Sequence, residues 1–160
     1  MSYLVDGNNV MAQRVGWHRD KAGARRGLMG ELSRYARAAR VTLSVVFDGA
    51  PDEHFPDGSF YMGVQVFYAE RGSNADERIK AMVDASRERR TLIVVTSDRA
   101  LAAYVRRSGA QVVRAGDFRR RLEDETREPD SARSAQEPRD SPANSADLND
   151  WMRYFGEEEE

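Results

Sequence analysis

The chain has 160 residues, of which 40% are hydrophobic and 32% charged, and it contains no cysteine. This length accommodates one ordinary domain with an appendage, and the lack of cysteine excludes disulfides and thiolate metal sites. Asp6 interrupts the first apolar run, and no run approaches the roughly 18 apolar residues that cross a bilayer, so we expect a soluble cytoplasmic protein with no membrane partner.

Charge is distributed unevenly along the chain. Residues 1–121 carry 21 Lys and Arg against 14 Asp and Glu, a net charge of +7, whereas residues 122–160 carry 4 against 13, a net charge of −9. Of the 25 cations, 23 are arginine, whose planar guanidinium pairs with phosphate and stacks on bases. Arginine enrichment also accompanies GC-rich coding sequence, so the composition alone does not identify the partner.

The first half of the chain predicts three strands and a long helix. Ser2 to Val5 predicts a short buried strand, and the turn-forming residues Asp-Gly-Asn-Asn follow at 6–9. Between Asp20 and Arg40 apolar residues recur at helical spacing with arginines mostly elsewhere, which predicts an amphipathic helix with a basic outer face. The run VTLSVVF at 41–47 predicts a second strand, and VQVFY at 64–68 predicts a third.

The second half of the chain continues the alternation. Apolar spacing from Ala75 onward predicts a helix, and TLIVVTS at 91–97 lacks polar alternation, as strands buried on both faces do. A helix from Ala100, a short strand at 110–113 and a closing helix at 116–125 complete the pattern. Strands alternating with helices in this way predict a parallel sheet covered by helices on both faces.

The chain divides into three predicted parts. We expect residues 1–126 to form the α/β domain. Residues 127–144 place prolines among Ser, Asp, Arg and Glu with almost nothing apolar, which predicts a disordered linker. Residues 145–160 predict a short amphipathic helix and an acidic tail, and we expect the helix to dock on this chain's own body or on a partner protein. Its apolar face comprises Leu148, Trp151, Met152 and Phe155. The alternative is a solvated tail that only aids solubility.

Carboxylates follow four of the predicted strands. Asp6 and Asp48 end the first two strands, Asp76 opens the helix after the third, and Asp98 lies just after the fourth. The carboxyl ends of parallel strands share one edge of a sheet, where ligands bind. Crowded carboxylates repel one another unless a cation lies between them, and oxygen ligands favour Mg²⁺ or Mn²⁺ over Zn²⁺. In a basic body, such an edge indicates phosphodiester hydrolysis.

Each of these acids also has a purely structural explanation. Asp98 suits the N-terminal end of a helix, and either Ser73 with Asp76 or Asn74 with Glu77 forms a capping box. These explanations account for the acids one at a time. They leave the crowding of like charges at one edge unexplained.

Four stretches in this order resemble the YacP-like branch of the NYN domains, which are PIN-like ribonucleases: VDGNNV, VVFDGAP, SNADERI and VVTSDRALAAYVRRSGAQVV. The resemblance spans roughly residues 1 to 121 and implies a three-layer PIN-like or Rossmann-like domain with a central, mostly parallel sheet. It implies that Asp6, Asp76 and Asp98 bind metal, with Asp48 as a further candidate ligand. Asn8 then positions water or phosphate. One-metal and two-metal mechanisms both stay open.

Together these observations predict a metal-dependent endoribonuclease that hydrolyses RNA with Mg²⁺ or Mn²⁺ in RNA processing or decay. A ribosome or an RNA-processing complex is a further candidate partner. The alternative is a catalytically silent RNA-binding adaptor that acts through its basic face and C-terminal helix, and a cleavage assay separates the two. The predicted catalytic residues are Asp6, Asn8, Asp76 and Asp98, and the predicted substrate-binding residues are Arg99, Arg25 and Arg26.

Overall fold

The computed structural model describes residues 1–69 and 74–136, with side chains described up to residue 125. Its strands are β1 (Ser2–Asp6), β2 (Thr42–Asp48), β3 (Phe60–Tyr61), β4 (Val64–Ala69), β5 (Leu92–Val95) and β6 (Gln111–Val113). Its helices are α1 (Gly7–Met11), α2 (Lys21–Ala39), α3 (Ala75–Ala85), α4 (Arg99–Arg107) and α5 (Ala115–Gln136), with 3₁₀ turns at Trp17–Arg19 and Arg89–Thr91.

The six strands form one sheet in the order β3-β4-β2-β1-β5-β6. All neighbouring strands are parallel except β3, which pairs with β4 in the antiparallel sense. The chain first runs outward from β1 through β2 to β4, and then crosses to β5 and β6 on the other side. β1 and β5 therefore flank the point at which the strand order reverses.

The helices cover both faces of the sheet, which gives the predicted three layers. One apolar cluster packs α1, α2 and α5 on one face, and a second packs α3 and α4 on the other. Right-handed crossovers require this arrangement, because reversing the direction of travel along the sheet places the connecting helix on the opposite face. The predicted α/β class with a mostly parallel sheet is confirmed.

Helix α2 shows why the sequence pattern was informative. Its apolar stripe, including Leu28 and Leu32, is buried against the sheet. Asp20 caps its first turn by accepting a hydrogen bond from the backbone N–H of Gly23 at 2.9 Å. The helix ends at Ala39, and the C-cap residue Arg40 has a left-handed φ of 57°. The helix predicted between residues 20 and 40 is confirmed.

Other elements differ from the sequence expectation. Gly7–Met11 forms the short helix α1 directly after β1, where a turn was expected. Helix α5 continues to Gln136, beyond the predicted domain boundary, so the predicted linker at 127–144 overlaps its C-terminal part. The rest of that linker, and the helix and acidic tail predicted for 145–160, lie outside the described residues and stay predictions. Within the described ranges, no helix is both long and apolar enough to cross a membrane.

Candidate active site

The carboxyl edge of the sheet brings the four predicted acids to one side of the molecule. Asp6 is the last residue of β1 and Asp48 the last residue of β2. Asp76 lies in the first turn of α3, and Asp98 is the N-cap of α4. The β1–β5 boundary, where the strand order reverses, is the place at which open α/β sheets bind ligands.

Asp6 is the most buried of these acids, with 2% of its surface exposed. Its Oδ2 atom accepts a hydrogen bond from the Oγ1 hydroxyl of Thr96 at 3.0 Å. The same hydroxyl oxygen accepts the backbone N–H of Asp98 at 3.1 Å. The buried Thr96 therefore links the carboxylate of β1 to the loop that carries Asp98, a role that the sequence analysis missed.

The acids act on one another electrostatically. Burial raises the pKa of Asp6 to about 6 from its usual 3.8, and the charges of Asp76 and Asp48 add to the rise. Hydrogen bonds from Thr96 and from the backbone of Asn9 oppose it in part. The pKa of Asp76 is also raised, first by burial and then by the charge and hydrogen bond of Asp98 and the charge of Asp48. The edge thus holds its carboxylates at an electrostatic cost.

Two adjacent asparagines connect this edge to both neighbours of β1. The Oδ1 atom of Asn8 accepts the backbone N–H of Asp48 at 2.9 Å, at the end of β2. The Oδ1 atom of Asn9 accepts the backbone N–H of Ser97 at 2.8 Å, just beyond β5. The pair explains why two asparagines follow the first strand, since each one fixes the exit of a different flanking strand.

Gly7 allows helix α1 to start directly against β2. A Cβ atom at this position would lie 2.5 Å from two ring carbons of Phe47 and 3.0 Å from Cγ2 of Val45. Larger residues are therefore excluded unless the ring moves. The glycine serves a close approach between backbone and core, and this approach sets the position of Asn8 and Asn9.

The structural roles expected of the polar residues are also present. The side chain of Asn74 accepts the backbone N–H of Glu77 at 2.9 Å, and Asp98 accepts that of Leu101 at 2.8 Å. Asp48 accepts the backbone N–H of Ala75 at 2.7 Å and so holds the start of α3. Capping and proximity to the other acids therefore coexist at Asp98 and Asp48, and neither observation excludes the other.

The three predicted substrate-binding arginines are in different situations. Arg25 donates to the backbone oxygen of Ala50 at 3.0 Å and to that of Asp48, and its guanidinium lies 5.4 Å from the ring centroids of both Phe47 and Tyr68. Arg26 is half exposed and lies 3.9 Å from a carboxylate oxygen of Asp52. Arg99, the first residue of α4, is exposed.

The donor set suits a hard divalent cation, although the structure does not present a formed ligand cluster. In the part of the chain that the structure describes, no three His, Cys, Asp or Glu side chains are grouped as metal ligands. The acids at the edge offer carboxylate oxygens alone, which Mg²⁺ and Mn²⁺ prefer. Their mutual effect on pKa shows that a cation placed among them would relieve like-charge repulsion.

Comparisons with known proteins identify a family from the sequence and support the fold from solved structures. The model of the YacP-like NYN domain matches residues 3–154. The crystal structure of Rae1 (YacP) from Bacillus subtilis shares 21% identity at a TM-score of 0.66, covering 98% of this chain and 92% of that one. A mutant of that protein shares 24% identity at a TM-score of 0.64, covering 80% and 77%. At these identities the likeness supports the fold. No curated protein matches this chain.

Proposed function

Because the chain belongs to the YacP-like NYN domain family, whose PIN-like fold supports a nuclease or RNA-related function, we propose that it is a metal-dependent endoribonuclease. The observation that carries this proposal is the set of aspartates at the carboxyl edge whose charges raise the pKa values of Asp6 and Asp76. Asp6 is buried there with a raised pKa beside Asp76 and Asp48. This repulsion destabilises the metal-free fold, and a cation bound among the aspartates would relieve it.

In this proposal Asp6, Asp76 and Asp98 hold Mg²⁺ or Mn²⁺, and Asp48 lies beside them. When bound, such a cation supplies a Lewis acid for a phosphoryl oxygen and lowers the pKa of water. The hydroxyl of Thr96 orients the Asp6 carboxylate. Asn8 keeps the end of β2 in place through the N–H of Asp48 and positions water or phosphate near Asp6.

RNA approaches the edge along basic residues of the body. Arg99 follows Asp98 directly and is exposed, so it contacts a phosphate next to the acids. Arg26 contributes a second, weaker contact, because a carboxylate of Asp52 lies near its guanidinium. Arg25 acts through the fold, since its guanidinium holds the carbonyls of Asp48 and Ala50.

We extend the proposal to RNA processing or decay in the cytoplasm, with a ribosome or an RNA-processing complex as partner. The net charge of +7 on residues 1–121 supports a large polyanionic partner. Sedimentation of the full chain with ribosomes at low and high salt tests this part. Recovery of the protein only in the free fraction at low salt contradicts it.

A cleavage assay with the purified full chain tests the activity itself. Structured and unstructured RNAs are incubated with Mn²⁺, with EDTA, and with the Asp6→Asn variant. We expect internal cleavage that both EDTA and Asp6→Asn abolish. Asp84→Asn is the matched control, because Asp84 lies near the end of α3, at the opposite edge of the sheet. RNA binding without cleavage under every condition would favour the adaptor alternative.

A further inference from the structure

A cavity of about 290 Å³ lies between the chain that follows α1, the first half of α2, and α5. Met11, the last residue of α1, lines it together with Gly23 and Gly27 of α2. Asp6 directly precedes α1, whose five residues span about 7.5 Å at 1.5 Å per residue. The cavity is therefore one short helix away from the acidic edge, by which we mean the carboxyl edge of the sheet with Asp6, Asp48, Asp76 and Asp98.

The lining combines an aromatic ring with cations. Trp17 is half-buried and packs on the core, and the ammonium of Lys21 lies 5.8 Å from its ring centroid. Trp17, Arg14 and Arg19 line the cavity, and Lys21 lies outside its lining. An aromatic ring is a platform on which a nucleobase stacks, and guanidinium groups bind the phosphates that connect bases.

A fixed carboxylate forms another part of the lining. Both oxygens of Glu31 accept hydrogen bonds from Nη1 of Arg119, at 2.8 and 2.7 Å, and Nη2 of Arg14 lies 3.7 Å away. Arg119 is 7% exposed, and its Nη2 donates to the backbone oxygen of Val10 at 3.4 Å. Arg119 thus anchors Glu31 to the buried end of α1, so that this wall of the cavity is rigid and accepts hydrogen bonds.

We propose that this cavity is a nucleobase subsite next to the acidic edge. This proposal rests on the proposed function. A base stacks on Trp17, its donor edge faces Glu31, and its phosphate lies near Arg19 or Arg14. A carboxylate only accepts hydrogen bonds, so the subsite selects guanine, which presents adjacent N1–H and N2–H donors. Uracil has one donor between two carbonyl oxygens, and those oxygens are repelled by Glu31.

The cavity size agrees with this ligand class. Ligand pockets generally measure roughly 300–1,000 Å³, and this cavity, at about 290 Å³, lies just below that range. A single base with its sugar fits such a volume better than an extended ligand does. The consequence for the reaction is a preference for guanine beside the cleaved phosphate.

Fluorescence of Trp17 provides a direct test that does not depend on cleavage. The chain contains two tryptophans, Trp17 and Trp151, so Trp151→Phe leaves Trp17 as the only reporter. This protein is titrated in EDTA with 5′-GMP, 5′-UMP and inorganic phosphate. We expect saturable quenching by GMP at a concentration roughly ten-fold or more below that required for UMP, from the discrimination of one paired base edge.

A pair of glycine substitutions on α2 locates the binding site. A Cβ at Gly27 meets no atom within 4 Å, and Gly27 lines the cavity, so Gly27→Leu places a larger side chain at the cavity wall and improves helix propensity. Gly30→Leu is the matched control, because Gly30 lies on the same helix and does not line the cavity. We expect Gly27→Leu to abolish quenching by GMP and Gly30→Leu to leave it unchanged.

The outcomes separate this subsite from the proposed activity. Equal quenching by GMP and UMP, or equal quenching by phosphate alone, overturns the base-specific subsite. Quenching that survives Gly27→Leu overturns its location. RNA cleavage without any quenching by GMP rejects the subsite and leaves the activity standing. Selective quenching by GMP in a protein that cuts no RNA supports the subsite and rejects the activity.

Discussion

Carboxylates at two places near the same end of the sheet have pKa values that are shifted in opposite directions. At the acidic edge, burial and neighbouring aspartates raise the pKa values of Asp6 and Asp76. Asp57 is the contrasting case: burial raises its pKa, but hydrogen bonds from Arg78 and the N–H of Tyr68, with the charge of Arg78, outweigh this and lower it. Its carboxylate oxygens lie 2.8 and 3.2 Å from the guanidinium of Arg78.

The difference shows that arginines neutralise some carboxylates of this protein and leave the charges of others to repel one another. Arg78 pairs with Asp57, and Arg119 pairs with Glu31 at 2.7 Å. At Asp6, by contrast, the charges of Asp76 and Asp48 raise the pKa further. A carboxylate paired with guanidinium is neutralised within the protein, whereas carboxylates that repel one another lower their free energy when a cation binds between them.

The largest expected effect is a loss of metal binding when an aspartate of the acidic edge is replaced, with no such loss when Asp57 is replaced. Asp98→Asn should weaken Mn²⁺ binding by more than about 100-fold, since replacing residues behind a metal ligand already costs roughly 10- to 100-fold. Asp57→Asn removes a carboxylate with a guanidinium partner and should leave Mn²⁺ affinity unchanged. Calorimetric titration of both variants checks this. Unaltered Mn²⁺ affinity in Asp98→Asn would remove Asp98 from the ligand set.

A second contrast concerns stability and pH. Because the pKa of Asp6 is raised to about 6 from 3.8, the folded state binds more protons than the unfolded state between these values, and stability falls as pH rises through this window. Asp6→Asn should therefore stabilise the metal-free protein at pH 7.5, by at most about 3 kcal/mol at 1.36 kcal/mol per pKa unit. The gain should largely disappear by pH 4.

Asp57→Asn should have the opposite sign in the same experiment. The lowered pKa of Asp57 stabilises the fold above its ordinary value, and this contribution is lost as pH falls. Urea unfolding of both variants in EDTA at pH 7.5 and pH 4 measures the two trends. Destabilisation of the metal-free protein by Asp6→Asn at pH 7.5 would mean that the edge is not strained by its charges.

The sequence predicted the acidic edge because that prediction needs only strand ends. TLIVVTS at 91–97 identified β5, and any parallel sheet places Asp6, Asp48 and the start of α4 at one edge. The order of the strands was not needed for this. Thr96 was not predicted because its contact with Asp6 depends on β1 lying beside β5. The sequence pattern does not give that strand order, and 90 residues separate the two partners.

Arginines were harder to assign from the sequence than acids. Helical periodicity placed Arg25 on the basic outer face of α2, but its long side chain reaches the carbonyls of Asp48 and Ala50. Arg78 similarly binds Asp57 and the backbone oxygen of Tyr68. Periodicity gives the direction of Cβ, whereas the guanidinium lies several bonds further away, where it finds unpaired carbonyls at strand exits.

A smaller effect is expected from the hydroxyl that links the two sides of the edge. Thr96→Val keeps the shape of a buried side chain but removes the donor to Asp6 and the acceptor for the N–H of Asp98. Leaving these groups unsatisfied should cost about 1–3 kcal/mol at neutral pH. Urea unfolding gives the loss, and Thr96→Ser should recover most of it. An unchanged free energy of unfolding in Thr96→Val would show that water replaces the hydroxyl.

The smallest expected effect separates arginines that bind RNA from those that bind the protein. Arg99 is exposed beside Asp98, so Arg99→Gln should reduce the slope of log affinity against log salt by about 0.7, the value for one contact with single-stranded RNA. Arg106→Gln is the matched control on the same helix, far from the acids, and should leave the slope unchanged. Binding measured with Mg²⁺ omitted, at four or more salt concentrations, avoids cleavage during the titration.

Arg25→Gln should instead lower stability with little change in slope, because its guanidinium holds backbone carbonyls. If Arg106→Gln reduces the slope and Arg99→Gln does not, RNA crosses α4 at its other end, and the acidic edge loses its proposed substrate path.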